Sequence, residues 1–310
     1  MFTVAQQASA APAIRALIID GQNNHKWQQT TPVLKQILEN TGTIEVDVLT
    51  SPPAGGNFST FNPQFDKYQV IVSNYNNCTP QIVPKGKYSV GCPGGGSDWP
   101  ANVKTAFEKY VHDGGGFVVY HAADNSFPNW PAYNLMIGVG GWFNRNETAG
   151  PYWYYKDGKL VSDQSPGIGG SHGTRLEFQI TLRNSTHPIT QGLPNVWMHA
   201  TDELYARLRG PGENMTVLAT AYSDPGNKSY GPGGSGHDEP MLMVINYGRG
   251  RVFHTTLGND VEAMKSVDFI TTLQRGTEWA ATGKVTTKVP PDFPIANKVS
   301  IRPQYIAAGR

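Results

Sequence analysis

The stretch Gly114-Gly115-Gly116-Phe117-Val118-Val119-Tyr120-His121-Ala122-Ala123-Asp124 decides the fold. Three glycines stop whatever precedes them, a short apolar run follows, and polar groups arrive the moment the run ends. Upstream, Trp99 to His112 places Val103, Phe107, Tyr110 and Val111 on one helical face, so the glycines end a helix and Phe117 to Tyr120 is the strand after it. An apolar strand of that length, with no polar alternation, is one buried on both faces.

Working outward, the same grammar repeats. Ile14 to Asp20 is a continuous apolar run, and Trp27 to Asn40 spaces Val33, Leu34, Ile37 and Leu38 as a helical stripe. Ile44 to Leu49 and Tyr68 to Ser73 read as further strands. Beyond Asp124, Asn125 to Ile137 reads as a short helix, and Gly138 to Gly173 as a glycine- and aromatic-rich excursion. Strands return at Leu176 to Leu182, Thr216 to Tyr222, Met241 to Asn246 and Val252 to Thr256. A helix from Asp260 to about Ala281 closes the domain. Strands alternating with helices predict an α/β fold with a doubly wound, mainly parallel sheet and a loop-built cap.

The domain therefore spans 14–284, followed by a proline-bearing C-terminal strap over 285–310. Residues 1–13 read as a signal-peptide remnant or a disordered tail. Cys78 and Cys92, the two cysteines, sit in turn-rich sequence, and a disulfide between them would close a loop worth roughly 3 kcal/mol. With the low charge fraction, this predicts a secreted or periplasmic protein. Sequons at Asn57, Asn146, Asn184, Asn214 and Asn227 are acceptors only in a eukaryotic host.

Composition narrows the partners. Twenty-five basic and 24 acidic residues leave a formal charge of +1, which offers no footprint for nucleic acid or an acidic membrane. No apolar run reaches the ~18 residues of a membrane-spanning helix. There is no P-loop, no Gly-x-Gly-x-x-Gly opening a helix, no Cys-x-x-Cys pair and no His-Glu-x-x-His, so no nucleotide cofactor is expected. The expected ligand is a small molecule, with a homo-oligomer possible.

In open parallel sheets, ligands sit beyond the carboxyl ends of the strands. That rule selects Asp20 and His25 after the first strand, Asn74 after the third, His121 and Asp124 after the Phe117 strand, and His254 at the end of the last. His121 occupies the position of an elbow nucleophile without being Ser or Cys, so it is read as a base or a metal ligand rather than an acyl carrier. Glu203, in Asp202-Glu203-Leu204-Tyr205, is a carboxylate able to face a histidine. His172 and His237 lie in glycine loops that let backbone approach a ligand, whereas His112 reads as a helix-end capping or surface residue and His187 and His199 as structural. Trp142, Phe143, Trp153, Tyr154 and Tyr155 are either sugar-stacking platforms or a hydrophobic plug.

Several strings together resemble the trehalose-utilisation (ThuA-like) family. They are Ala16-Leu17-Ile18-Ile19-Asp20-Gly21 with His25, the Gly114 to His121 run, Gly140-Gly141-Trp142-Phe143, His187 to Pro194, Asp202-Glu203-Leu204-Tyr205, and Tyr247 to Gly258. The resemblance implies a flavodoxin-like fold of the class I glutamine-amidotransferase type, with His121 at the nucleophile position. It implies a role in sugar utilisation, with 3-keto sugars as substrates of some members. A divalent metal near this strand end in some members points to His121, Asp124 and Glu203. Leu257-Gly258-Asn259-Asp260 where many members have Gly-His, and Asn144-Arg145-Asn146 where His-Pro is often seen, each remove a possible ligand.

The combined reading is a carbohydrate-active enzyme of sugar utilisation cleaving 3-keto-glycosides, disaccharides like 3-keto-trehalose, by base-assisted elimination or hydrolysis with a metal as an optional aid. His121, Glu203 and Asp124 would be its catalytic residues, and His25, Trp142, Asn144, His172, His237 and His254 would bind substrate. Its alternatives are a non-catalytic sugar-binding module and a metal-assisted ester or glycoside hydrolase.

Overall fold

The computed structural model describes residues 14–77, 98–229 and 232–305. Cys78, Cys92 and the tail over 1–13 lie outside the described residues. The strands are β1 (Ile14–Asp20), β2 (Ile44–Thr50), β3 (Val70–Ser73), β4 (Gly116–Tyr120), β5 (Tyr152–Lys156), β6 (Lys159–Asp163), β7 (Ser171–His172), β8 (Leu176–Leu182), β9 (Val196–Asp202), β10 (Tyr205–Ala206), β11 (Met215–Tyr222), β12 (Asp238–Tyr247) and β13 (Gly250–Thr255). The α-helices are α1 (Trp27–Glu39), α2 (Ala101–His112), α3 (Pro131–Ile137), α4 (Val261–Met264) and α5 (Val267–Thr282).

The main sheet runs in the order β2-β1-β3-β4-β13-β12-β11-β8-β9, with the β5–β6 hairpin paired to β12. Strands β2, β1, β3, β4 and β13 are mutually parallel. From β12 outward every pairing is antiparallel. The expectation of a mainly parallel sheet thus holds for one half, and the molecule is an α/β protein built on a mixed sheet. The reason is connection length. β12 passes into β13 through Gly248 and Arg249 alone, a link that can only return antiparallel, whereas α1, α2 and the helical segments after β4 supply the long crossovers that parallel pairing needs.

Two apolar cores flank the sheet. Val33, Leu34, Ile37 and Leu38 of α1 pack with Phe269, Ile270 and Leu273 of α5 over one face. Val103, Phe107 and Val111 of α2 pack with Tyr133, Met136 and Ile137 of α3 over the other. Strand β4, buried at every position, serves both. Helix α5 lies close on the sheet because Gly276 faces the Phe253 ring, where a Cβ would come within 2.1 Å of a ring carbon.

Three local expectations change. The helix expected from Asp260 to Ala281 is two helices, because the Asp260 carboxylate caps α4 and the chain restarts at Ser266. The excursion over 138–173 carries the β5–β6 hairpin, turned at Asp157-Gly158, the dipeptide that suits a two-residue turn. The segment before Glu203, where no element was expected, is strand β9. After Val285, Val289 and Phe293 pack against the first core, Met198 N–H donates to Ile295 O, and Tyr305 is buried.

Candidate functional site

Strand β4 ends abruptly. His121 takes a left-handed backbone with φ +45°, and a tight 3-10 turn over His121–Asn125 follows. A histidine held there is strained, and surrounding structure must hold it. Arg145 does so: its buried guanidinium donates to the carbonyls of Asn125, Ser126 and Gly141 and to Asn134 Oδ1. Burial lowers its pKa to about 10, still charged at neutral pH.

The strained turn aims His121 into a cluster. Its Nδ1–H donates to the Thr256 carbonyl at 2.6 Å, so Nε2 faces the Tyr205 hydroxyl at 2.9 Å and Glu203 Oε2 at 3.7 Å. His25 packs edge-on against the His121 ring, centroids 4.8 Å apart, and its Nδ1 accepts from the Asn259 side-chain amide at 3.1 Å. His172 donates its Nδ1–H to the Gly173 carbonyl at 2.9 Å, leaving Nε2 3.9 Å from Glu203 Oε1. One carboxylate therefore sits among three imidazoles.

Electrostatics follow from that crowding. Burial would raise Glu203, yet His121, His172 and His25 outweigh it and hold the carboxyl at about 2. Burial opposes charge on His121 too, but Glu203, Asp202 and the Thr256 carbonyl raise its pKa above the usual value. His25 is pushed down to about 4, first by burial and then by His121.

Donor atoms of His25, His121 and Glu203 all lie within 4.8 Å of one another. Contacts of 3.7 and 3.9 Å are too long for hydrogen bonds and close to the about 3.3 Å between two ligands on a tetrahedral cation. A ligating histidine generally anchors its second nitrogen on a carbonyl or carboxylate. His121 does this on Thr256 and His172 on Gly173. His121 and Glu203 present the donors a divalent cation takes, and His25 joins them once the Asn259 amide turns its oxygen, rather than its NH₂, to Nδ1.

Behind the cluster lies an ionic network. Both ring nitrogens of His199 meet carboxylates, Nδ1 at 2.8 Å from Asp268 Oδ2 and Nε2 at 3.0 Å from Asp202 Oδ2. Burial disfavours the charge, but Asp268 and Asp202 together raise His199 to about 10, so it is an imidazolium at neutral pH. Asp202 in turn accepts the backbone N–H groups of Glu203, Gly258 and Asn259.

An aromatic wall completes the site. Trp142 lies 4.5 Å from the Tyr205 ring and 6.1 Å from His172, centroid to centroid. It can reach there because Gly170, with φ +87°, carries no side chain: a Cβ would stand 2.7 Å from the indole. Wherever the expected residues do not reach the cluster, the cause is local. Asp124 and His254 are wholly buried, with Asp124 Oδ2 3.6 Å from His254 Nε2, and neither presents surface to a ligand. His237 stacks flat on Tyr154 of the hairpin, 3.8 Å between centroids. Asn144 is exposed in the turn after Trp142, one of three successive residues with positive φ. Tyr205 and Asn259 join the site although the end-of-strand rule did not select them, and His199, read as structural, supports it.

The trehalose utilisation (ThuA) family model matches residues 15–280. The chain belongs to this family. A ThuA-like protein from Parabacteroides merdae is 46% identical, with a TM-score of 0.85 over 96% of this chain and 100% of that one. A second ThuA-like protein, from Bacteroides uniformis, is 18% identical with a TM-score of 0.55 over 93% of this chain and 99% of that one, which speaks to the fold alone. No curated protein matches the sequence. Membership of the ThuA family makes the cluster around Glu203, at the carboxyl ends of β1, β4 and β9, the place to look for its chemistry.

Proposed function

We propose that this ThuA protein cleaves oxidised (3-keto) glycosides by proton abstraction next to the ketone. The observation that carries the reading is the partly buried Glu203 carboxylate set among His25, His121 and His172. Ordinary glycoside hydrolysis uses two carboxyl groups flanking the bond. Here Asp202 is consumed by His199 and three backbone N–H groups, and Asp124 is sealed off. A ketone at C3 removes the need for a second carboxylate, because it acidifies the proton on C2.

The roles follow from the environment. A carboxyl held at about 2 and an imidazole held at about 4 are weak bases, and His121 spends Nδ1–H on the Thr256 carbonyl and Nε2 on the Tyr205 hydroxyl. His172 remains, with Nδ1 fixed on Gly173 O and its Nε2 lone pair turned to the site. His172 takes the C2 proton, and Glu203 stabilises the imidazolium that forms. The electrons released at C2 make the C1–C2 double bond, the C1–O bond breaks, and the leaving oxygen takes a proton from water. Hydroxide then adds at C1 as His172 returns its proton to C2, so the net change is hydrolysis. The Tyr205 hydroxyl favours negative charge on the ketone oxygen, and His121, its pKa raised beside Glu203, is the second group there. A divalent cation held by His25, His121 and Glu203 would add Lewis-acid polarisation of that oxygen. Trp142 offers its face to the C–H surface of the ring.

The deciding experiment is NMR product analysis with methyl 3-keto-glucoside and 3-keto-trehalose, with and without chelator and added divalent metal. Release of methanol or a free sugar is the expected result. Turnover of unoxidised chromogenic glycosides or esters, and not of the ketones, would replace the reading with simple hydrolysis. Binding without turnover would replace it with a sugar-binding module.

A further inference from the structure

Two elements hold the short strand that carries His172. β7 pairs antiparallel with β10, His172 opposite Tyr205. The loop between β11 and β12 is fastened to residues on either side of His172: Ser171 Oγ donates to the Gly233 carbonyl at 3.1 Å, and Thr174 Oγ1 donates to the Lys228 carbonyl at 3.0 Å. Asn227 of the same loop makes a third fastening of another kind. Its Oδ1 accepts the Thr174 N–H at 2.8 Å, and its Nδ2 donates to the Thr174 carbonyl at 2.9 Å. In the sequence this asparagine stands out only as the head of the sequon Asn227-Lys228-Ser229, yet its amide nitrogen is spent inside the fold.

The Thr174 N–H and the Gly173 carbonyl belong to one peptide unit. Such a unit is a rigid trans plane, so its N–H and C=O point to opposite sides. Holding the N–H on Asn227 therefore aims the carbonyl at His172, where it accepts Nδ1–H at 2.9 Å. A peptide next to glycine that lacks such a hold turns over at little cost, because glycine accepts backbone angles that other residues resist. The glycine is nevertheless required, since a Cβ on Gly173 would stand 2.4 Å from the Asn227 side-chain carbon. Gly173 lets the clamp close and is also the residue that needs it.

The consequence reaches the imidazole. Which ring nitrogen of a histidine keeps the proton is set by the hydrogen bond that the other makes. With the proton on Nδ1, the lone pair of Nε2 faces the site, 3.9 Å from Glu203 Oε1. A Gly173 carbonyl turned away would release the proton to either nitrogen, and a protonated Nε2 cannot take a proton from substrate.

We propose that Asn227 is a positioning residue: by holding the Gly173–Thr174 peptide it keeps the His172 proton on Nδ1 and leaves Nε2 as the base. The inference rests on the role given to His172 in the keto-glycoside reading, whereas the tautomer it controls is readable without any substrate.

The test combines NMR of the imidazole nitrogens in substrate-free, isotope-labelled protein with kcat and KM on methyl 3-keto-glucoside. The His172 resonances are assigned by their loss in His172→Gln. The wild type should show the Nδ1–H form alone. Asn227→Ala should show both forms, with kcat lowered by about 10–100-fold and KM little changed. Gly173→Ala, which dislodges the clamp from the other side, should give the same mixture. Asn227→Asp keeps an oxygen for the Thr174 N–H and should retain the Nδ1–H form. Thr174→Ala, which cuts only the bond to the Lys228 carbonyl, should match the wild type in both readouts. A wild-type tautomer in Asn227→Ala overturns the proposal, whether or not kcat falls, because a loss of rate alone would be structural. Absence of turnover by the wild type defeats the keto-glycoside reading and leaves the spectra to judge the clamp: mixed forms in Asn227→Ala sustain it, and a single form overturns it.

Discussion

Asp202 accepts the backbone N–H of Asn259 at 3.0 Å, and through that bond a strand-end carboxylate fixes the loop whose side chain holds His25. The same carboxyl group accepts from Glu203 N at 2.8 Å and Gly258 N at 2.6 Å, so one buried residue sets both Glu203 and the loop facing it. The site is therefore built on an ionic network, His199 between Asp202 and Asp268, that does not itself touch a ligand.

Asp202→Asn replaces an acceptor with a group that must turn an N–H toward existing donors, and it leaves the His199 imidazolium with one carboxylate instead of two. Breaking a buried pair of this kind costs about 3–5 kcal/mol. Urea denaturation should show that loss, and residual folded protein should show a lowered kcat on methyl 3-keto-glucoside. A stability within about 1 kcal/mol of wild type would contradict the network's role.

The pH dependence of stability has a defined sign. His199 is raised from 6.5 to about 10 in the folded protein, so its contribution is complete below about pH 6.5 and drains away as pH rises toward 10. Asp268 is lowered from 3.8: burial would raise it, but His199, Ser266 and Trp197 more than compensate. Its contribution is present above about pH 4 and is lost as pH falls. The urea midpoint of the wild type should decline on the alkaline side between pH 7 and 10, and His199→Gln should remove most of that decline. An identical alkaline slope in the variant would refute the assignment.

How far these features could be read from sequence depends on how local their causes are. β1 and β4 announce themselves because burial on both faces leaves an uninterrupted apolar run, and His25 and His121 follow from the rule about strand ends. β9 does not, because two of its inward positions are His199 and Asp202, whose partner Asp268 lies 69 residues beyond His199. A strand with charges inside reads as a loop until its counter-ions are known. The antiparallel half was hidden for a different reason, since periodicity identifies strands but not their order or direction. The β5–β6 hairpin had a usable signal in Asp157-Gly158, masked by the surrounding glycines. At Asp124 and His254 the strand-end rule selects two residues that the fold buries completely, 3.6 Å apart.

Cation binding is a separate expectation, readable without substrate. Isothermal titration of chelator-treated protein with Zn²⁺ or Mn²⁺ should give one site per chain. Glu203→Ala and His121→Ala should abolish it. Asn259→Ala, which removes the hydrogen bond orienting His25, should weaken it by about 10–100-fold. Equal affinity in wild type and Glu203→Ala would place any cation elsewhere.

Base catalysis and ring stacking should separate in the kinetics. His172→Gln removes the proton acceptor while keeping polar bulk, so kcat on methyl 3-keto-glucoside should fall by about 10²–10⁴-fold with little change in KM. Trp142→Ala removes the platform against which the ring lies in ground and transition states alike, so KM should rise with kcat nearly preserved. Since Trp142 also packs on Tyr205, which is hydrogen bonded to His121, Trp142→Phe is the control: it keeps an aromatic face and should recover most of the wild-type KM. A kcat for Trp142→Ala as low as that of His172→Gln, unrescued by phenylalanine, would show that the indole holds the cluster together rather than the sugar.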